Sequence, residues 1–158
     1  MPMELKGKHG RALLREDLFN FDLNSELLDH NKKNPCHHVA AKCLWLSQRT
    51  RADLQLATGF HCTRVKSPIV EEWLKLKHVL GCLWNNLFLS TTIAIDKEVN
   101  AMTYVDGSHA THADSKARSG LFTTMGKCAM MNVSKKLSLV TKSSTETAVV
   151  PTGELFPK

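Results

Sequence analysis

Asp106, His109, His112 and Asp114 are residue types that bind metals and move protons, and they fall together in "MTYVDGSHATHAD", Met102 to Asp114. Three chemistries compete for them. Tyr104-Val105-Asp106 begins like a polymerase Tyr-x-Asp-Asp box, in which adjacent aspartates hold the catalytic metals. Gly107 stands where the second aspartate should be, and no other paired carboxylate sits on a neighbouring apolar strand. The second chemistry is a histidine metal site. His109 and His112 follow the turn-like Asp106-Gly107-Ser108, and no Cys pair or Glu completes a recognisable ligand set. They read as two solvated loop histidines. The third is a nuclease, in which carboxylates from distant parts of the chain hold two Mg²⁺ ions near each other.

For a nuclease, Asp106 is one candidate carboxylate and Glu146 the other. Glu146 also has a purely local use. Ser143 followed three residues later by Glu146 is a capping box, in which the carboxylate would bond the Ser143 backbone N–H. On the residues alone the cap is the stronger reading. A metal ligand would instead point toward Asp106.

Cys36, His37, His38, Cys43, His61 and Cys62 invite a zinc assignment. Structural zinc takes close ligand pairs on loops or hairpin knuckles, whereas these residues fall on expected helices. Cys43 lies on an apolar face, where a thiol acts as a small hydrophobe. The five cysteines are odd in number and unpatterned, which points to reduced thiols.

The elements that must position these residues change period along the chain. Residues 1–33 are a charged, irregular lead-in. Residues 34–87 read as helical. Asn34-Pro35 opens a first helix, "RADLQLATGFHCTRV" forms a second with Leu54, Ala57 and Cys62 on one side, and Ser67-Pro68 opens a third. The third has Glu71 and Glu72 in its first turn, where they suit the helix dipole. Its apolar stripe is Trp73, Leu76, Leu80, Leu83, Trp84 and Leu87, and Asn85-Asn86 ends it. From residue 88 the pattern turns to strands: "LFLSTTIAI", "AMTYVD", "SGLFTTM" and "CAMMNVS", the last two joined at Gly126-Lys127. A helix starts at Ser143, and Pro151 should kink or stop it within two turns.

The chain has 158 residues, 42% hydrophobic and 23% charged, a globular balance. Its net charge of +6 is uneven. Residues 107–158 hold seven Lys/Arg against three Asp/Glu. That excess suits a polyanion, nucleic acid first, and equally a solvated surface. The opening "MPMELKGKHGRALLRED" is charged throughout, so the expectation is an intracellular chain with no signal peptide and no membrane span.

Residues from about 17 to 158 resemble the late part of a copia-type retrotransposon Pol polyprotein. The resemblance is carried by "CHHVAAKCLWLSQRTRADLQLATGFHCTRVKSP", "EEWLKLKHVLGCLW" and "YVDGSHATHADSKARSGLFTTMGKCAMMNVSKKLSLVTKSSTE". In the family, a "VAKLLYLSKRARPDI" segment follows the reverse transcriptase palm. An amphipathic helix then leads to a ribonuclease H domain. That domain opens on an aspartate followed by small residues and runs through a Ser-Gly or Thr-Gly strand, a glycine turn and a Ser-x-Lys stretch. A Ser-Ser-Thr-Glu helix start follows, matched here at Ser143 to Glu146, the most specific part of the likeness.

The resemblance implies an α/β chain: a helical connecting segment over 34–87, then an incomplete ribonuclease H-like unit over 88–158, antiparallel strands followed by a helix. It implies Asp106 and Glu146 as catalytic, metal-binding carboxylates, Mg²⁺ as the cofactor, and an RNA–DNA hybrid as substrate. The family's two other carboxylates lie on a later strand and a later helix, expected beyond Lys158, and the polymerase aspartates are expected before Met1. The family's Thr-Glu-Ala-Glu reads Thr145-Glu146-Thr147-Ala148 here. The expectation is therefore little or no activity from this chain alone, or activity only when remaining Pol segments on a second chain complete the site. The alternative is a non-enzymatic nucleic-acid-binding module using Lys116, Arg118, Lys127, Lys135, Lys136 and Lys142.

Overall fold

The computed structural model describes residues 17–155 apart from 23, 90, 93, 95, 96, 98, 99, 113 and 128. The chain divides into two compact units, residues 1–90 and 91–158. It is mixed α/β, with helices in both units and a three-stranded antiparallel sheet in the second.

The first unit is helical: α1 (His30–Arg49), a 3₁₀ turn (Ala52–Leu54), α2 (Gln55–Arg64) and α3 (Val70–Asn85). Helix α1 begins four residues before the expected Asn34-Pro35 start, so Pro35 lies inside it. The backbone carbonyl of Asp29 starts the helix by accepting from Lys32 and Lys33 N–H, and Pro35 then costs the helix one internal hydrogen bond. The core is Leu18, Leu54, Ala57, Phe60 and Val79, beside a second cluster of Leu28, Cys36 and Leu76. Phe19 meets Phe60 edge-on, with ring centres 5.3 Å apart. Of the expected irregular lead-in 1–33, residues 1–16 and 23 lie outside the described residues and 30–33 belong to α1; between them Leu18 and Leu28 are buried in the core.

Helix α3 buries part of the expected stripe: Leu76 is in the core, and Trp73 and Leu83 pack against it. Its buried positions are Glu72, Lys75, Leu76, Val79, Gly81 and Cys82. Trp84 and Leu87 are exposed, not part of an inward stripe. Two charged residues take inward positions because each finds partners. The Glu72 carboxylate accepts from the Ile69 N–H at 3.1 Å and pairs with the Arg64 guanidinium. The Lys75 ammonium donates to the carbonyls of Asp17 (2.7 Å) and Asn20 and pairs with Glu71 at 3.0 Å. Lys75 thereby ties the lead-in to α3, and satisfied donors make its burial tolerable. Asn86 ends the helix, its side-chain amide donating to the Cys82 carbonyl.

The second unit is a meander of β1 (Met102–Ser108), β2 (Arg118–Thr124) and β3 (Ala129–Lys136), followed by α4 (Ser144–Leu155). Tyr104 pairs with Phe122, Asp106 with Gly120, and Gly120 in turn with Ser134. The β2–β3 turn passes through Gly126 at φ 96°, a conformation that favours glycine. The described residues of "LFLSTTIAI" (87–89, 91, 92 and 94) belong to no strand, and Ser90, Ile93 and Ile95 lie outside the described residues. Ala94 of this run accepts a hydrogen bond from Lys127 N–H at 3.1 Å. Helix α4 runs through Pro151 to Leu155 instead of stopping near it. The carbonyl that Pro151 leaves without an i+4 donor is that of Thr147, and this carbonyl lies against β1. Among the described residues, no helix is long and apolar enough to cross a membrane.

Candidate functional site

Helix α4 packs closely on β1 at Gly107. A Cβ placed there would lie 2.6 Å from the Thr147 carbonyl oxygen and 2.9 Å from its Cγ2. Only a residue without a side chain admits the helix this near. Each candidate carboxylate is the chain neighbour of one member of this contact: Asp106 precedes Gly107, and Glu146 precedes Thr147.

Strand alternation fixes which way Asp106 points. Successive side chains leave a strand on opposite faces, so with Gly107 turned to α4, Asp106 projects from the other face. It shares that face with Tyr104 and Phe122, whose ring centres are 6.4 Å apart. Asp106 is exposed, and its Oδ1 accepts the Gly107 N–H at 2.8 Å.

Glu146 is exposed in the first turn of α4, and its Oε2 accepts the Lys142 N–H at 2.7 Å. The Glu146 N–H donates to the Ser143 hydroxyl at 3.2 Å. This is a reciprocal cap displaced by one residue from the expected form, with Lys142 rather than Ser143 as backbone donor. Both carboxylates are thus turned to local backbone donors. Each keeps one oxygen without a hydrogen bond among the described residues, and hard carboxylate oxygens are the donors Mg²⁺ prefers. A cation shared by the two would have to reach around the outer edge of β1. Among the described residues, no group of three or more His, Cys, Asp or Glu is gathered to hold a metal.

Of the two histidines expected to be solvated, His109 is exposed in a turn and His112 is not. His112 is buried, and burial, reinforced by the Lys136 and Arg118 charges, pushes its pKa down to about 4. Its backbone closes a tight loop, donating to the Lys116 carbonyl at 3.1 Å and accepting from Ser115 at 2.8 Å. His109 is exposed at one edge, while its Nδ1 lies 3.2 Å from the Thr141 hydroxyl and 3.1 Å from the Thr147 hydroxyl. Those hydroxyls are 2.6 Å apart, and Thr147 donates to the Ser143 carbonyl at 2.9 Å. The His109 ring and the two hydroxyls thus form one hydrogen-bonded cluster that ties the end of β1 to the start of α4. Thr141 and Thr147 were missed in the sequence because threonines six apart across a helix start carry no recognisable pattern.

The basic candidates are partly consumed by the fold. Lys136 pairs with Asp114 at 2.7 Å and Lys135 with Glu154 at 3.7 Å. Arg118 is buried and donates through Nε to the Ser134 hydroxyl at 2.9 Å. Lys127 and Lys142 are exposed and Lys116 is half-exposed.

In the first unit, Cys36, Cys43 and His61 are buried, while His37 and His38 are exposed. Burial raises the Cys43 thiol to about 11, with Cys62 adding to the shift. These are inert thiols in a packed core rather than ligand thiolates.

Comparison of the chain with protein-family models, with curated proteins and with solved structures found no match.

Proposed function

We propose that the chain is a segment of a copia-type reverse transcriptase/ribonuclease H polyprotein. On this reading the first unit is the connecting segment, and the second holds the opening strands and first helix of a ribonuclease H-like unit. The observation that supports it most is the seating of α4 on β1 at Gly107 and Thr147. That contact joins the Asp106 strand to the Glu146 helix in the strand–strand–strand–helix order the resemblance implies.

In the intact family unit, Mg²⁺ ions held by carboxylates would activate water and stabilise the leaving oxygen during hydrolysis of RNA in an RNA–DNA hybrid. Here Asp106 and Glu146 are the two carboxylates available to that chemistry. Glu146 can offer a cation its Oε1 while Oε2 keeps the Lys142 N–H. Two carboxylates leave most of the coordination sphere to water, so the chain alone holds Mg²⁺ weakly and does not turn over.

An assay of hybrid cleavage with Mg²⁺ tests this. The expected outcome is no cleavage above background. Cleavage abolished by Asp106→Asn would show that the site works as it stands and would overturn the inactive assignment.

A further inference from the structure

We infer that the outward face of α1 is a binding surface for single-stranded nucleic acid, on which Trp45 stacks against an unpaired base while Lys42 and Arg49 hold the flanking phosphates. The surface belongs to the first unit and uses none of the residues considered in the second. The inference does not depend on the ribonuclease reading.

Helix α1 carries two matched rows. Its buried residues, Cys36, Ala40, Cys43 and Ser47, are spaced four, three and four apart, the repeat of one helix face. His38, Lys42, Trp45 and Arg49 repeat that spacing, and all four are exposed. Each stands two positions after a buried residue, about half a turn, so the second row lies opposite the first.

The fold makes no use of this outer row. Trp45 is 62% exposed, although the large apolar area of a tryptophan ordinarily goes into a core. The side chains of Lys42 and Arg49 have no ion pair or hydrogen bond among the described residues, whereas Arg51, just past the helix, is spent on Asp53 at 2.8 Å. Over its 20 residues α1 holds four Lys/Arg and no Asp or Glu. Two of them, Lys32 and Lys33, stand in the first turn, where the helix dipole opposes cations. Neither packing nor helix stability accounts for this charge.

The order of the row selects the occupant. Lys42 precedes Trp45 by three residues and Arg49 follows it by four, so a cation lies about 5 Å, one helical turn, to each side of the indole. A nucleic-acid single strand offers the complementary alternation of phosphate and unpaired base. Phosphate contacts supply salt-dependent affinity, and base–aromatic stacking adds to it for any sequence. A duplex leaves no free base face for the indole. An acidic peptide supplies carboxylates but no planar partner. A membrane surface needs an apolar flank beside the cations, and Trp45 is the only large apolar side chain in the row.

The test is anisotropy of a labelled thymidine oligonucleotide titrated with the full chain over a range of salt, with tryptophan quenching read in parallel. The expected result is saturable binding that quenches tryptophan. Trp45→Ala should raise the dissociation constant about tenfold, and Trp45→Phe should recover most of that loss. Lys42→Ala and Arg49→Ala should each lower the salt slope by about 0.7. Trp84→Ala, at the exposed end of α3, should leave the dissociation constant unchanged. Competition by polyglutamate or by a duplex should not respond to Trp45→Ala. No binding at low salt would overturn the proposal. So would quenching that persists undiminished in Trp45→Phe, or a loss of polyglutamate or duplex binding in Trp45→Ala equal to that for the oligonucleotide.

Discussion

Gly107 of β1 and Thr147 of α4 touch through backbone: a Cβ on Gly107 would stand 2.6 Å from the Thr147 carbonyl oxygen. Pro151, four residues along α4, has no N–H to give that carbonyl. One helix position therefore leaves an oxygen without its i+4 donor, and one strand position leaves room to receive it. Gly107→Ala forces strand and helix apart and should destabilise the second unit by about 1–3 kcal/mol. Gly153→Ala is the contrast: nothing lies within 4 Å of its added Cβ, so the helix should gain about 0.5–1 kcal/mol. All three tryptophans, at 45, 73 and 84, lie in the first unit. Denaturation of the second is therefore better followed by amide exchange in β1–β3 than by fluorescence.

The Arg64–Glu72 pair predicts unequal costs for its two members. Glu72 is 2% exposed and Arg64 32%. Removing Arg64 strands a buried carboxylate, and Arg64→Ala should cost about 3 kcal/mol. It also removes the guanidinium held 4.3 Å over the Phe21 ring. Glu72→Gln keeps an acceptor for the Ile69 N–H and leaves an arginine that water can reach, so about 1–2 kcal/mol is expected. Urea denaturation followed by tryptophan fluorescence reads both. Equal losses would show that burial of Glu72 does not set the cost.

Acid should weaken the first unit through His61. Burial, with Lys75 adding to it, lowers the folded-state pKa of His61 to about 4 from an ordinary 6.5. Folding then favours the neutral ring. The stability this contributes is full above pH 6.5 and is lost as pH falls from 6.5 toward 4, where the folded state takes up the proton as well. The shift corresponds to at most about 3 kcal/mol across that window. Denaturation midpoints at pH 7 and pH 4.5 should differ for the wild type and differ less for His61→Gln. His112, lowered to about 4 in the same sense, predicts a parallel acid loss in the second unit.

Any nucleic-acid binding should depend on the lysines the fold does not use. Lys127→Ala and Lys142→Ala should each reduce the salt slope of duplex binding by about 1, whereas Lys135→Ala and Lys136→Ala should change it less. Lys135 and Lys136 already hold Glu154 and Asp114. Absence of binding at low salt would exclude the basic-module alternative.

Strand and turn positions were legible because local chemistry writes them. Alternation located β1, β2 and β3, and Gly126 marked the hairpin turn. Ser143 marked the start of α4 through a cap that the structure contains, one backbone donor earlier than expected. What was not legible depends on partners far along the chain. Glu72 reads as a helix-dipole residue, but its burial and that of Lys75 depend on Arg64, Asp17 and Asn20, which satisfy them from distant positions. Pro151 reads as a stop because sequence cannot show that the Thr147 carbonyl lies against β1. His112 reads as solvated because its burial comes from a loop folding back at Lys116. The direction of Asp106 was likewise hidden, since it follows from which face α4 covers.

Under the proposed function, Asp106 and Glu146 share one cation, and paramagnetic broadening by Mn²⁺ in a ¹H–¹⁵N spectrum of the full chain reads this. The expected result is weak, saturable broadening of amides around Asp106–Gly107 and Lys142–Thr147 together, relieved by Mg²⁺ and lost in both Asp106→Asn and Glu146→Gln. Broadening at only one of the two segments, or at neither, would rule out a shared site.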